Sequence, residues 1–302
     1  MAQTAFAFDG TPAVPTFTGA SARSPQRRSR LPSLRPAGLP SPGVPAPEAD
    51  EASPQDTGHE IGCDFARHGL VPPAEHLLPG HPVRQGWEAG RIRFGQRTLQ
   101  PTRQARTWLQ LRLHAWQRGR LFEGVQVTPH YLAQIDTPRC PITRLPLSQA
   151  SGTDSDASVD RVFNDAGYAA GNLAVMSRRA NRAKGSLRWD DARLLSVLAA
   201  SRQDGLAQGL SASQWARLAT LMSFVTPLPH ELAATLPLLV LPPNRLRLLN
   251  PIQGLQALIT LQRTRPGYAA RIARLVPCLP GALLRRDFHL FFHSLLPRAW
   301  DG

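Results

Sequence analysis

Residues 140–184 read CPITRLPLSQASGTDSDASVDRVFNDAGYAAGNLAVMSRRANRAK, and this stretch decides the fold of the chain. Residues 157–163 predict a strand with alternate side chains on opposite faces, and residues 172–176 predict a second strand. The sequence NDAG between them is typical of a loop. Residues 178–187 predict a helix that carries several basic side chains. We therefore expect a β-hairpin followed by one helix.

Eight positions in this stretch are spaced as in one known protein family. They are Ser158, Asp160, Arg161, Gly167, Tyr168, Asn172, Asn181 and Lys184. This pattern, S-x-D-R … G-Y … N … N-x-x-K, resembles the phage-type variant of the HNH (His-Me finger) endonuclease family. The resemblance covers about 45 of the 302 residues. It implies a small ββα (His-Me finger-like) module that holds a divalent metal over a DNA phosphate, in a protein of phage or mobile-element type.

The resemblance also implies catalytic roles for four residues of this module. Asp160 and Asn181 fall on the metal-ligand positions of the family, and the metal expected there is Mg²⁺ or Mn²⁺. Asn172 falls on the position that orients the general base. Arg161 occupies the position of the catalytic histidine, which is the main departure from the family pattern.

The module lacks an ordinary general base, because an arginine stays protonated at physiological pH. No histidine occurs between His130 and His230. If the protein hydrolyses phosphodiesters, the base is Asp165, a metal-bound hydroxide or a histidine from elsewhere, of which His130 is the nearest in sequence. Arg161 would more naturally clamp a phosphate or pair with Asp160.

Nucleic acid is the partner that the charge of the chain favours. The formal net charge is +14 at pH 7, and the pI is about 11.3. Lys184 is the only lysine, so an arginine-biased genome can account for part of the excess. We expect double-stranded DNA as the ligand. The residues expected to contact its phosphates are Arg161, Arg178, Arg179, Arg182 and Lys184.

Many HNH modules carry two C-x-x-C pairs that bind a structural zinc ion. Here the two positions read CPIT, from Cys140, and SRRA, from Ser177, so one ligand of four remains. No structural zinc is therefore expected, and Cys140 is expected to be a small buried residue. The three cysteines are far apart in sequence, which predicts no disulfide framework and favours a reducing cytoplasm.

The whole chain is predicted to be mainly α, with the small ββα (His-Me finger-like) module and a helical C-terminal domain. Residues 1–82 are predicted to be a disordered, Pro-rich N-terminal region, of which residues 59–82 form a partly ordered lead-in. Residues 83–139 predict a helical lead-in, and residues 140–188 the HNH-like ββα module. Residues 189–302 predict an all-α C-terminal domain.

Signals for helix starts support this assignment. Thr102 is a predicted N-cap, and Pro129 after Thr128 predicts the first turn of another helix. Ser211 and Gln214 form a capping-box pattern ahead of a third.

Four histidines precede these helices, together with one cysteine, but without a standard metal-ligand spacing. We therefore expect them to be scattered surface residues. They are His59, His68, His76 and His81.

Two hypotheses of function follow from the sequence. The first is a divalent-metal-dependent DNA endonuclease. The alternative is a catalytically degenerate HNH-like module that binds nucleic acid or a protein without cutting. The C-terminal helices can also offer a surface to a protein partner. No membrane partner is expected, because the longest apolar run, residues 232–241, is interrupted by Pro237 and is too short to span a bilayer.

Overall fold

The computed structural model describes residues 53–263 and 265–298. These residues are mainly helical and contain two small antiparallel sheets of two strands each. The predicted mainly α class is therefore confirmed. The predicted disorder of residues 1–52 lies outside the described residues.

The chain is already helical in a part for which disorder was predicted. Helix α1 (Pro54–Arg67) packs along helix α2 (Pro82–Phe94). Glycines let the two backbones touch. A Cβ at Gly62 would overlap the Val83 carbonyl, and one at Gly86 would overlap a carbonyl of α1. The prediction of disorder is thus wrong for residues 54–58, and the lead-in predicted as partly ordered from residue 59 continues the same helix. The composition did not reveal that glycines allow this close packing.

Two helices begin where the sequence predicts. Helix α3 (Arg103–Gln117) has Thr102 as its N-cap, whose hydroxyl accepts the third backbone N–H of the helix. Helix α4 (Pro129–Ile135) begins in the same way at Thr128. Helix α3 completes the first core with α1 and α2. The buried members of this core are Ile61, Phe65, Val83, Leu109 and Leu113.

The predicted hairpin and helix follow α4. Strand β1 (Ala157–Arg161) pairs antiparallel with β2 (Leu173–Ser177), and Val159 lies opposite Val175. Helix α5 (Arg178–Lys184) starts directly after β2. We refer to β1, β2 and α5 together as the hairpin–helix unit. Its strands lie between two apolar clusters, one shared with α3 and α4 and the other with the C-terminal helices.

The C-terminal part is helical, except for one short hairpin. This hairpin consists of β3 (Leu206–Ala207) and β4 (Leu210–Ser211), and it corrects the prediction that residues 189–302 are all α. The helices are α6 (Trp189–Ser201), α7 (Ala212–Ser223), α8 (His230–Thr235), α9 (Pro251–Arg263), α10 (Tyr268–Ala273) and α11 (Ala282–Arg298).

Helix α7 joins this part to the hairpin–helix unit. It begins at the predicted capping box of Ser211 and Gln214. Its buried Trp215 and Leu218 belong to the same apolar cluster as Met176 of β2. No helix among the described residues combines the length and the apolar character needed to span a bilayer.

Candidate functional site

A buried ion pair lies at the centre of the hairpin–helix unit. Lys184 at the end of α5 has no exposed surface, and Asp160 in β1 is 7% exposed. The Lys184 Nζ lies 3.2 Å from Asp160 Oδ1 and 3.1 Å from Oδ2. It also donates to the Arg161 carbonyl at 2.8 Å and to Asn164 Oδ1 at 2.7 Å. Three acceptor groups therefore match the three hydrogens of the ammonium.

Each member of this pair keeps the other charged. Burial raises the pKa of Asp160 to about 6, and the Lys184 ammonium opposes that rise. Burial lowers the pKa of Lys184, and the Asp160 carboxylate opposes that fall. The ammonium lies 3.1–3.2 Å from the two carboxylate oxygens, and this contact favours the ionised form of both groups.

This arrangement does not fit a divalent metal at Asp160. A magnesium ion binds carboxylate oxygens at about 2.0–2.1 Å, and here a cation, the Lys184 ammonium, already lies within 3.2 Å of both oxygens of a buried carboxylate. The second predicted ligand, Asn181, donates from Nδ2 to Ser158 Oγ at 2.7 Å. The two predicted ligands thus bind different partners. Among residues 53–263 and 265–298, no group of three or more His, Cys, Asp or Glu side chains is placed to hold a metal ion.

Arg161 supports the loop between the two strands. Its Nη1 donates to the carbonyls of Asn164 at 2.9 Å and Ala166 at 3.1 Å. Its guanidinium carbon lies 5.1 Å from the ring centroid of Tyr168. The half-buried guanidinium therefore has structural partners at the position where the family carries its histidine.

Asn172 closes the same loop from the other side. Its Oδ1 accepts from the Phe163 backbone N–H at 2.9 Å. Its Nδ2 donates to the carbonyls of Phe163 at 3.0 Å and Gly167 at 3.1 Å. All three of these hydrogen bonds join the Asn172 side chain to backbone atoms of the loop. Among the residues that the structure describes, no histidine forms a hydrogen bond with this amide.

The basic helix α5 offers two exposed arginines one turn apart. Arg178 lies 3.7 Å from Asp156, and Arg182 pairs with the exposed Asp154. The Arg182–Asp154 pair is exposed on both sides, and such pairs contribute only about 0–1 kcal/mol, so an incoming phosphate can replace that carboxylate at small cost. Asp156 is buried, but it keeps its hydrogen bonds to Ser148 and Ser151 when Arg178 turns to a phosphate. Arg179 differs, because it donates to the Gly209 carbonyl beside β4.

The prediction that Lys184 contacts a phosphate is not supported by its position in the structure. The sequence pattern placed it on a basic helix, but its ammonium is fully buried against Asp160. It therefore cannot reach a ligand at the surface in this conformation. Asn164, which accepts from the same ammonium, was missed in the sequence as part of this network. The loop sequence NDAG signalled a turn, but it did not reveal the acceptor.

Two further polar side chains near the start of α5 are held by hydrogen bonds. Asp156 accepts from the Ser151 and Ser148 hydroxyls and from backbone N–H groups, which hold the pKa of its carboxyl far below the usual value. The Cys140 thiol is buried and accepts from the Thr143 and Ser177 backbone N–H groups at 3.4 and 3.3 Å. Burial alone would raise the pKa of Cys140, but its hydrogen bonds outweigh this effect and lower it.

The two alternative bases suggested by the sequence are exposed, whereas Asp160 is buried. His130 is exposed on α4 and contacts the amide of Gln134 at 2.9 Å. Asp165 is exposed in the loop between the strands.

Comparison of the chain with protein-family models, with curated proteins and with solved structures returns no match.

Proposed function

We propose that this chain binds nucleic acid through its hairpin–helix unit and does not hydrolyse it. The observation that carries the proposal is the Lys184 ammonium, which lies against the carboxylate that a nuclease of the resembled family would use for its metal. The unit then keeps a charged, rigid centre without a metal ion. This is the second of the two hypotheses that the sequence suggests.

The absence of a base beside this carboxylate supports binding without cleavage. Arg161 stays protonated at physiological pH, so it cannot take a proton from water, and its guanidinium is engaged by the loop carbonyls and by Tyr168. Asn172 orients the loop backbone and not an imidazole. The residues that correspond to the catalytic machinery therefore all act within the fold of the unit.

The exposed arginines of α5 support a polyanionic ligand. Arg178 and Arg182 lie one turn apart, and both guanidinium groups are exposed, so each can contact a phosphate. The net charge of +14 attracts such a ligand over longer distances. Because phosphate contacts release counterions, binding through these two side chains depends on salt concentration.

The binding test measures fluorescence anisotropy of a labelled DNA duplex two helical turns long, over a range of salt concentrations. We expect the double variant Arg178→Ala, Arg182→Ala to bind more weakly and to reduce the slope of log K against log salt by about 2, since each lost phosphate contact removes about 0.9. The control Arg118→Ala, Arg120→Ala changes the net charge equally, at exposed arginines near the end of α3. Equal effects of both double variants would leave only general electrostatic attraction and overturn the assignment to α5.

A plasmid-nicking assay with Mn²⁺ tests the absence of hydrolysis. We expect no cleavage by the wild-type chain and none by Arg161→His, because histidine would lose the loop contacts and would face a carboxylate already occupied by Lys184. Metal-dependent cleavage that disappears in a folded Asp160→Ala variant would overturn the proposal in favour of the endonuclease.

A further inference from the structure

An open cavity of about 750 Å³ lies among the N-terminal helices, outside the hairpin–helix unit. Helices α1, α2 and α3 each contribute to its wall, together with the loop at Gly124. We call it the N-terminal cavity. Its size falls within the usual range for small-molecule sites, about 300–1,000 Å³. The side chains that line it are aromatic, basic and acidic. Some of the charged ones form ion pairs with each other, and others do not.

One wall of the N-terminal cavity is rigid. Arg112 lies over the ring of Trp108, with the guanidinium carbon 4.9 Å from the ring centroid. It pairs with Asp64 and lies 3.6 Å from Glu60, so both carboxylates have a cation beside them. The Trp108 indole is itself fixed by a hydrogen bond to the Val127 carbonyl at 2.7 Å.

The other part of the wall is accessible. The guanidinium carbon of Arg93 lies 5.5 Å from the ring centroid of Phe94, at the end of α2. Arg93 and Arg67 are exposed, and within the part of the chain that the structure describes no carboxylate forms a salt bridge with either of them. Three arginines against two carboxylates give the cavity a net positive charge.

We propose that the N-terminal cavity binds an unpaired base of a single-stranded nucleic acid, a proposal that rests on the proposed function. An unpaired base stacks on aromatic rings and on guanidinium planes, and both occur in the Arg93–Phe94 pair. The phosphates on either side of the base meet Arg93 and Arg67. A duplex does not fit this role, because its bases are stacked on one another and only its phosphates are accessible.

The ligand of the whole chain is then a nucleic acid that has a single-stranded segment. The hairpin–helix unit supplies phosphate contacts through Arg178 and Arg182, and the N-terminal cavity takes a base. This division predicts that substitutions at the two places affect single-stranded and duplex probes differently.

The experiment uses the full chain with two fluorescein-labelled probes, an oligothymidine of about 12 nucleotides and the duplex described above. The variant Arg93→Ala, Phe94→Ala removes the accessible stacking pair. Its matched control is Arg91→Ala, Ile92→Ala on the same helix, since Arg91 lies over Trp87 and Ile92 is exposed, and neither lines the cavity.

We expect the cavity variant to bind oligothymidine about tenfold more weakly, because one stacked base contributes about 1–3 kcal/mol, and to bind the duplex as before. The control variant is expected to match the wild type with both probes. Because Phe94 is half-buried, Arg67→Ala serves as a second variant at an exposed position of α1, and it is expected to weaken oligothymidine binding about threefold through one lost phosphate contact.

The outcomes separate this inference from the proposed function. Duplex binding that depends on Arg178 and Arg182, with no oligothymidine binding or no effect of the cavity variants, overturns the inference and leaves the proposed function standing. An equal loss with both probes in the cavity variant also overturns the inference. Binding of neither probe by the wild-type chain overturns both.

Discussion

The hairpin–helix unit and the N-terminal helices use similar side chains in opposite ways. In the hairpin–helix unit, the carboxylate, amide and lysine that attract notice in the sequence are bonded to one another, to a neighbouring hydroxyl or to the backbone, whereas two arginines of α5 are exposed. Among the N-terminal helices, arginines and aromatic rings line a cavity, and some of the cations there are exposed. A chemically suggestive residue is thus available to a ligand only where the fold has not already used its hydrogen bonds.

The largest effect is expected from breaking the buried pair of the hairpin–helix unit. We expect Lys184→Met to lower the free energy of unfolding by about 3–5 kcal/mol, because Asp160 is left as an uncompensated buried charge. Urea unfolding followed by circular dichroism at neutral pH measures this loss.

The matched control for that substitution is Arg182→Met on the same helix. Its ion pair with Asp154 is exposed on both sides, so its loss is expected to cost less than about 1 kcal/mol. The double variant Asp160→Asn, Lys184→Met should recover part of the stability, since it removes both charges. Equal stability of the two single variants would contradict the role given to the buried pair.

The next largest effect on stability is expected where helices α1 and α2 pack closely. We expect Gly86→Ala to lower the free energy of unfolding by about 1–3 kcal/mol, because the new Cβ would overlap the His59 carbonyl where α1 and α2 touch. Gly124→Ala is the control, since a Cβ there meets nothing within 4 Å. The same urea unfolding experiment compares them, and a Gly86→Ala variant as stable as the control would show that the two helices can separate freely.

A smaller effect concerns two histidines that were expected at the surface. His76 is 4% exposed, and its Nδ1 lies 3.3 Å from Nε2 of His81, while the His81 Nδ1 accepts from the Val83 N–H. Because the His81 Nδ1 accepts from the backbone, its Nε2 is the nitrogen that can donate to His76. The sequence prediction of scattered surface histidines is wrong for His76, and also for His68, which is 8% exposed.

This arrangement predicts a loss of stability in acid. Burial lowers the pKa of His76 below 6.5, the neighbouring His81 lowers it further, and Glu75 opposes the shift. The unfolded chain therefore binds protons below pH 6.5 that the folded chain still excludes, and the free energy of unfolding falls as the pH decreases.

Urea midpoints at about pH 7.5 and about pH 5.5 measure this dependence. We expect His76→Gln to reduce it, whereas His59→Gln, at an exposed position of α1, should leave it unchanged. A pH dependence that is the same in both variants would mean that other groups cause it.

Local signals in the sequence predicted the elements of the fold well. Thr102, Thr128 and Ser211 begin their helices as predicted, because a capping hydroxyl acts on backbone groups only a few residues away. The strands of the hairpin agree with their predicted bounds to within two residues. The helix α1 was missed, because its packing depends on glycines that meet a second helix and leave no periodic signal of their own.

The candidate site was predicted only in part. The sequence identified Asp160, Arg161, Asn172 and Asn181 as a group, and all four do lie in or beside the hairpin–helix unit. The sequence could not show that Lys184 and Asn164 complete a hydrogen-bonded network with the first of them. Those contacts join residues 20 or more positions apart in the chain, so no spacing rule reports them.

By itself, the sequence determined where helices and the hairpin begin, the basic charge of the chain and the residue types that the central stretch carries. These properties depend on side-chain chemistry and on neighbours within a few positions. Only the tertiary structure decided which polar groups bond to one another within the fold and which remain exposed to a ligand. It buried Lys184 against Asp160 and left Arg93 and Phe94 at an open cavity, because burial and pairing are set by elements that are distant in sequence and adjacent in space.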